Sequence, residues 1–517
     1  MTAVLTGGQK AAILFVIFAM LVISFLIGVV AKRRTKNSAQ QFIGATKSFG
    51  PIATGLSSTA AMASGWMLVG TPANVYSYGN IMAIYSYLSF CFALGFIYVG
   101  KRMRAIAEVA EISTLGDVLD VRYGGSGSTR PLKAFFAVTM FLGCLSYLAS
   151  QISAGSGLMS YLFPNWPVLL SCAAVFGIVT LYVAVGGESA GLLSQAFQGA
   201  VMVICGIVFI GFFFFEFGGF GALSSALADS PTVTNAAGVA KTFSPRMMTA
   251  FGLDNSGGVL SVTYLMMPLI GVACQPSCLT RMYAVKDPRN LGKTSLTSAL
   301  SQAVVCFSGM SIAFAMIHLV SSGVIEPLAK ADQLTWTYCN YLGFGVQLIC
   351  YAGIMAAIVS SASMYITVGA NALAIDLSSA LNFKMSDAQK IKISRIAIVI
   401  VGIGGIFMAA LSSETVAIIA SLGWGTIVSI NLPIFVIGCA WKKATRKGMT
   451  AAAFAAMVGN VIGLVTTQLM KITYPKGMPW YMWVICISVM IGVFGSLATY
   501  NKDSDKVSPG IEAALNL

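Results

Sequence analysis

The stretch Pro51-Ile-Ala-Thr-Gly-Leu-Ser-Ser-Thr-Ala60-Ala-Met-Ala-Ser-Gly65-Trp-Met-Leu-Val-Gly70-Thr-Pro72 is long enough to cross a membrane as a helix. Its middle is crowded with serine, alanine and glycine, and it ends on Thr71-Pro72. A span further along the chain carries Pro268, Gly271 and Gln275-Pro276. A helix broken at membrane depth frees backbone polar groups, which is tolerated only where protein or a polar cavity receives them. Two such spans at corresponding places in two halves are the mark of an inverted-repeat transporter with its site at the breaks. The alternative is that the small residues only let helices approach closely. For either span alone the two readings stand about level, and the five-span offset between them favours the first.

Working outward, the rest of the chain has the same character. Of its 517 residues 57% are hydrophobic and 9% charged, and the mean hydropathy is +0.84, where soluble proteins carry about 25% charged residues. A water-soluble fold is excluded. Apolar runs near 10–31, 51–76, 80–100, 134–162, 167–185, 190–215, 257–280, 294–321, 343–375, 394–411, 415–441, 448–470 and 479–500 give about thirteen spans. The first run is too long for a signal peptide and its basic cluster Lys32-Arg33-Arg34 follows it, so it reads as a retained span.

The net charge of +14 suggests no nucleic-acid partner, because the distribution of lysine and arginine explains it. With the N-terminus outside, 25 of the 31 basic residues fall in inner segments. The six outer ones are Lys10, Lys241, Arg246, Lys330, Lys471 and Lys476. That asymmetry is the positive-inside rule and predicts N outside and C inside. Residues 1–500 form a single transmembrane transport domain, and 501–517 a short cytoplasmic tail with no room for a fused module. The eleven cysteines show no disulfide spacing, and the i, i+4 pair Cys274 and Cys278 has no second pair beside it to make a metal site.

In the ninth span, Gly353-Ile-Met-Ala-Ala-Ile-Val-Ser360-Ser361-Ala-Ser363 sets adjacent hydroxyls in an otherwise apolar helix. Hard cations take oxygen ligands, whereas a serine pair in a membrane helix also serves as an interhelical hydrogen-bonding device. Composition leaves both open.

The stretch Ala356-Ala-Ile-Val-Ser-Ser361 followed by Asn371-Ala-Leu-Ala-Ile-Asp-Leu377 resembles the ion helix of the sodium/solute symporters, nearest their sodium/proline branch. Phe49-Gly50 with Ser64-Gly65-Trp66 and Gly70, Gly186-Gly187 with Gln198, and Gln275-Pro276 with Arg281 are similar to further segments of that family, in order over about residues 40–450. The resemblance implies an all-α polytopic fold of the leucine-transporter type, with two inverted five-helix repeats over about 48–217 and 257–441 and discontinuous core helices. It implies a sodium ion as the coupling ion, held by the carbonyls of Ala60, Ala63 and Ala357 and the hydroxyls of Ser360 and Ser361. It also implies a solute pocket of Ser64, Gly65, Trp66, Tyr147, Gln151, Pro268, Val272 and Gln275. For Trp66 and Tyr147 the plainer alternative is ordinary packing.

Met62 stands where the sodium/proline branch has an Asp, and Ser194-Gln195 where the family commonly has Thr-Asp. With both carboxylates replaced, one sodium ion is the expected stoichiometry. The central parts of the second, seventh and ninth spans hold no Asp, Glu or His to relay a proton. The single histidine, His318, falls near an outer helix end.

An ion site without a side-chain anion favours a solute that brings a carboxylate, and half-helix N-termini favour the same group. Pro268 and Val272 replace two pocket aromatics of the proline branch, and Tyr147-Leu-Ala-Ser-Gln151 also resembles the acetate-type branch. The expected solute is a small monocarboxylate or amino acid, imported across the plasma membrane. The rival readings are a sodium-independent or proton-coupled transporter and a non-transporting solute sensor. An enzyme would need a clustered acid, base or metal set, which the spans lack.

Overall fold

The computed structural model describes residues 5–34, 39–44, 47–253, 258–412, 416–472, 474, 478–501 and 507–517. Among these, eleven helices are long and apolar enough to cross a membrane. The main α-helical segments of these spans are α1 (Gly7–Arg34), α2 (Pro51–Gly65), α3 (Arg130–Leu162), α4 (Val168–Gly211), α5 (Pro276–Ala284), α6 (Leu291–Ser321), α7 (Phe344–Asn371), α8 (Asp387–Leu411), α9 (Val416–Asn431), α10 (Arg446–Leu464) and α11 (Trp480–Thr499), with α2 and α5 belonging to the longer stretches Pro51–Tyr78 and Ser261–Ala284.

The difference between eleven and thirteen has two local causes. The runs 167–185 and 190–215 form the single element α4, divided at Gly187, whose φ of 64° a side chain would rarely adopt. The run 80–100 is cut into short pieces. There the backbone tightens to i+3 bonds, Cys91 N–H to Leu88 and Ala93 N–H to Phe90, and Ser86 donates across to the Cys306 carbonyl at 2.8 Å.

Helix α2 begins at Pro51, whose missing N–H is no loss in the first turn. It packs against α4, α6 and α7, so a nearly continuous face of Thr54 to Val69 is buried. Its serines, alanines and glycines are what permit the approach: a Cβ on Gly55 would meet Thr297 at 2.7 Å. The lipid-facing surfaces of α1 and α8 carry the large exposed side chains such as Phe15, Phe18, Ile400 and Phe407. Between α4 and the residues preceding α5 runs an excursion with the helix Gly219–Leu227 and a small antiparallel hairpin, Thr232–Thr234 with Ala240–Thr242.

Several of the basic residues that weigh in the charge asymmetry are not at a headgroup surface. Arg122 is buried and donates to the carbonyls of Gly438, Trp441 and Ala444, closing a helix end. Arg104 does the same for Val285 and Lys286, and Lys133 is held by Asp120. Lys36, Lys476, Lys502 and Lys506 lie outside the described residues, as do the side chains of Lys32, Arg33 and Arg34. After residue 506 the chain forms the helix Pro509–Leu515, seated on the helix Lys101–Val109.

All eleven cysteines are free thiols, and no group of three or more metal-ligating side chains occurs among the described residues. Cys274 and Cys278 stay unpaired, Cys274 donating to the Ile270 carbonyl at 3.2 Å.

Candidate functional site

The break in α2 falls at Ser64, with φ 46° and ψ 170°, and is followed by a single π-helical turn, Trp66–Gly70. Three of the backbone groups freed there have partners. The Gly65 N–H, whose helical acceptor would be the Ala61 carbonyl, donates to Gln151 Oε1 on α3 at 2.7 Å. The Ala61 carbonyl receives the Ser361 hydroxyl at 3.0 Å. The Trp66 N–H turns back to Ser64 Oγ at 3.2 Å and to the Ala63 carbonyl. The second break is built alike. A π turn, Met267–Gly271, precedes the extended residue Gln275, Pro276 opens α5, and Asn431 Nδ2 on α9 takes the Cys274 carbonyl at 2.7 Å.

At the first break the expected ion ligands converge. Ser360 Oγ lies 2.7 Å from the Ala60 carbonyl and 3.1 Å from that of Ala357, and Ser361 Oγ lies 3.2 Å from Ala60. All of these residues are fully buried. Ala63 stands apart, its carbonyl engaged by Trp66. The cluster is neutral oxygen throughout, a donor set suited to a hard monovalent cation. The serine hydroxyls also bridge two helices, so the packing role and the expected ligand role fall on the same atoms.

The expected pocket residues fall into a connected chain. Ser64 Oγ and Tyr147 OH are 3.1 Å apart. The Tyr147 ring stacks on Tyr365 with centroids 4.2 Å apart, and Tyr365 OH donates to Gln275 Oε1 at 3.1 Å. Ser64, Gly65, Tyr147, Gln151 and Gln275 are thus brought together. Pro268 and Val272 are buried at the second break, on either side of Gly271, which lies flat on Trp424: a Cβ there would come within 1.7 Å of the indole. Trp66 is buried at the head of the π turn.

The sodium:solute symporter family profile matches residues 42–463. The chain belongs to that family. Among curated proteins the symporter is 25% identical over 459 residues to an osmoregulated proline transporter of Bacillus subtilis, covering 87% of each chain. It is 26% identical over 463 residues to the sodium/proline symporter of Escherichia coli, covering 86% of this chain and 85% of that one. Among solved structures it superimposes on a sodium-coupled sialic acid symporter with TM-score 0.72 at 18% identity, over 94% of this chain and 98% of the other. The fold is the leucine-transporter type, the relatives are transporters rather than enzymes, and the symporter is a multi-pass plasma-membrane protein.

Two features of the site lay beyond sequence reasoning. Tyr365 and Trp424 read as unremarkable aromatics in apolar spans, and only the fold sets one against Tyr147 and the other against Gly271. The second feature is what surrounds Gln195. Its Oε1 accepts from Arg281 Nη2 at 2.5 Å and from Ser57 at 3.1 Å, while its Nε2 reaches the Ser360 carbonyl at 3.3 Å and Ser363 Oγ at 3.1 Å. Arg281 is wholly buried and paired with Glu188, which follows the kink at Gly187. The Gly-Gly motif and the Gln-Pro…Arg motif therefore meet beside the ion helix. His318 sits in the last turn of α6 near Phe217, away from this cluster.

Proposed function

We propose that the symporter imports a small organic solute bearing a carboxylate, of the amino acid or monocarboxylate class, together with one sodium ion, by alternating access. The observation that carries this reading is the convergence of the Ser360 and Ser361 hydroxyls on carbonyls at the break in α2. Ala60, Ala357, Ser360 and Ser361, with Ala63 turned toward the ion when it binds, supply about five neutral oxygens, within the range hard cations use. The hydroxyl protons, which point at carbonyls, must rotate away as the ion takes the lone pairs.

Met62 and Gln195 bring no negative charge to this cluster, so the solute carboxylate is the group that offsets the ion. Ser64, Gly65, Trp66, Tyr147, Gln151, Pro268, Val272 and Gln275, with Tyr365 added, line the solute's place between the two breaks. Relatives named as proline transporters, and a fold neighbour named for sialic acid, support a carboxylate-bearing solute. The two repeats, about 48–217 and 257–441, would rock against each other in a thirteen-span topology with N outside and C inside.

A sodium-independent or proton-coupled cycle is the second reading, favoured by the fixed positive charge of Arg281 one side chain away from Ser360. Uptake of labelled proline, other amino acids and acetate into proteoliposomes decides between them. Accumulation that requires an inward sodium gradient supports symport, and equal uptake without sodium supports the rival.

A further inference from the structure

An apolar slot of about 520 Å³, lined by none of the residues at the two breaks, runs between α1 and the core. Leu14, Phe15 and Phe18 of α1 form one wall and Ala174 of α4 the other, with Phe163 and Trp166 at one end. Helix α1 packs on α4 and α7 through a buried edge that includes Ile13 and Ile17, while Phe15 and Phe18 stay exposed beside the slot. From Ala11 to Leu21, at about 1.5 Å per residue, α1 runs about 15 Å along it, half of the roughly 30 Å hydrocarbon layer. The slot has the depth of a single leaflet.

The end at Phe163 and Trp166 carries charge. Lys10, the residue before Ala11, is half-buried; its ammonium lies 5.5 Å from the Phe163 ring centroid and donates to the Leu162 carbonyl at 2.6 Å. That bond fixes the ammonium at the end of α3 and leaves it two further N–H groups for an anion. Trp166 stacks on Phe163 with centroids 4.7 Å apart and keeps 38% of its surface exposed. A lysine and a tryptophan together at helix ends mark the headgroup level, where such side chains collect. A cation at headgroup level above a leaflet-deep apolar slot matches an anionic phospholipid, phosphate above and acyl chain below. A polar solute finds no partner in walls of apolar side chains, and an unfilled slot forfeits dispersion contacts along its length.

We propose that the slot holds one anionic phospholipid, with an acyl chain laid between Phe18 and Ala174 and the phosphate at Lys10 Nζ. The lipid fills the seam where α1 meets α3 and α4, so the first span is held to the core partly through it. The site does not depend on which solute or ion the symporter carries. A single lysine facing the headgroup gives an anionic lipid roughly a fivefold preference over a zwitterionic one.

The test is photo-crosslinking of the purified full chain in nanodiscs of unlabelled phosphatidylcholine, with a trace of phosphatidylglycerol or phosphatidylcholine carrying a diazirine on one acyl chain. Crosslinked peptides are mapped by mass spectrometry. The expected result is labelling of the peptides around Phe15–Phe18 and Phe163–Ala174 above that of the lipid-facing surface of α8 at Ile400 and Phe407, and roughly fivefold stronger with the phosphatidylglycerol probe than with the phosphatidylcholine one. Lys10→Gln should remove the difference between the two probes. Ala174→Phe, a change at an exposed position that fills the slot, should lower labelling there by both probes at least fivefold. Unchanged labelling of α8 in each variant shows that the fold is kept. Slot labelling no greater than that of α8, a headgroup preference that survives Lys10→Gln, or labelling that survives Ala174→Phe overturns the proposal. Crosslinks from the slot to a second copy of the chain, in place of lipid, overturn it as well.

Discussion

Arg281 Nη2 lies 2.5 Å from Gln195 Oε1. The bond ties the second broken span to the helix that carries Gln195, and through the Gln195 amide nitrogen to the Ser360 carbonyl. A guanidinium with no solvent contact needs an anion, and Glu188 is that anion. Three segments, the second broken span, α4 and α7, are thereby held by one buried charge network.

Glu188→Gln removes that anion and leaves the guanidinium with neutral partners only. The expected cost is about 3–5 kcal/mol, the usual penalty for breaking a buried pair from one side. Lys442→Gln, which breaks an exposed pair with Glu512, should cost about 0–1 kcal/mol. Thermal unfolding in detergent compares them, and equal shifts in the two variants would contradict the assigned role.

Ser64 holds a backbone conformation that side chains other than glycine rarely adopt, at a cost of about 1–3 kcal/mol. Ser64→Gly and Ser64→Ala both lose the hydroxyl that meets Tyr147, but only glycine relieves the strain. Ser64→Gly should therefore unfold at the higher temperature while both variants bind solute more weakly. If alanine is the more stable, the break is not held against a local cost.

Tyr147→Phe and Tyr365→Phe keep both rings stacked and each delete one hydroxyl from the chain Ser64–Tyr147–Tyr365–Gln275. Each should weaken solute binding by about 0.5–1.5 kcal/mol, roughly two- to tenfold at about 1.4 kcal/mol per factor of ten. Unchanged affinity in both variants, measured by direct binding, returns the tyrosines to a packing role.

What the sequence disclosed follows from what lipid imposes. The spans were legible because apolar length is written residue by residue, and the existence of a break in each of two spans because small residues and proline interrupt an otherwise uniform pattern, although the position of the first, at Ser64 rather than elsewhere in the run up to Thr71-Pro72, was not. The fragmentation near Leu88 was not legible: its composition is as apolar as an unbroken helix. The weight given to Arg104, Arg122 and Arg281 as inner-surface charges illustrates the same limit, since a count by segment cannot tell a headgroup contact from a buried cap. Tyr365 escaped notice because its partners, Tyr147 and Gln275, are far away in the chain and nothing local marks it.

The central claim is that Ser360 and Ser361 hold the coupling ion, and sodium titration of solute uptake in proteoliposomes made with Ser360→Ala and Ser361→Ala tests it most directly. Each change removes one oxygen from a cluster with no carboxylate in reserve. Loss of one contact to a charged group costs about 1.5–3 kcal/mol, so half-maximal uptake should need roughly ten- to hundredfold more sodium. Solute affinity should recover at saturating sodium, because coupling between the two sites is reciprocal. Parental sodium dependence in both variants, or a parent that accumulates solute equally well without sodium, would contradict the account.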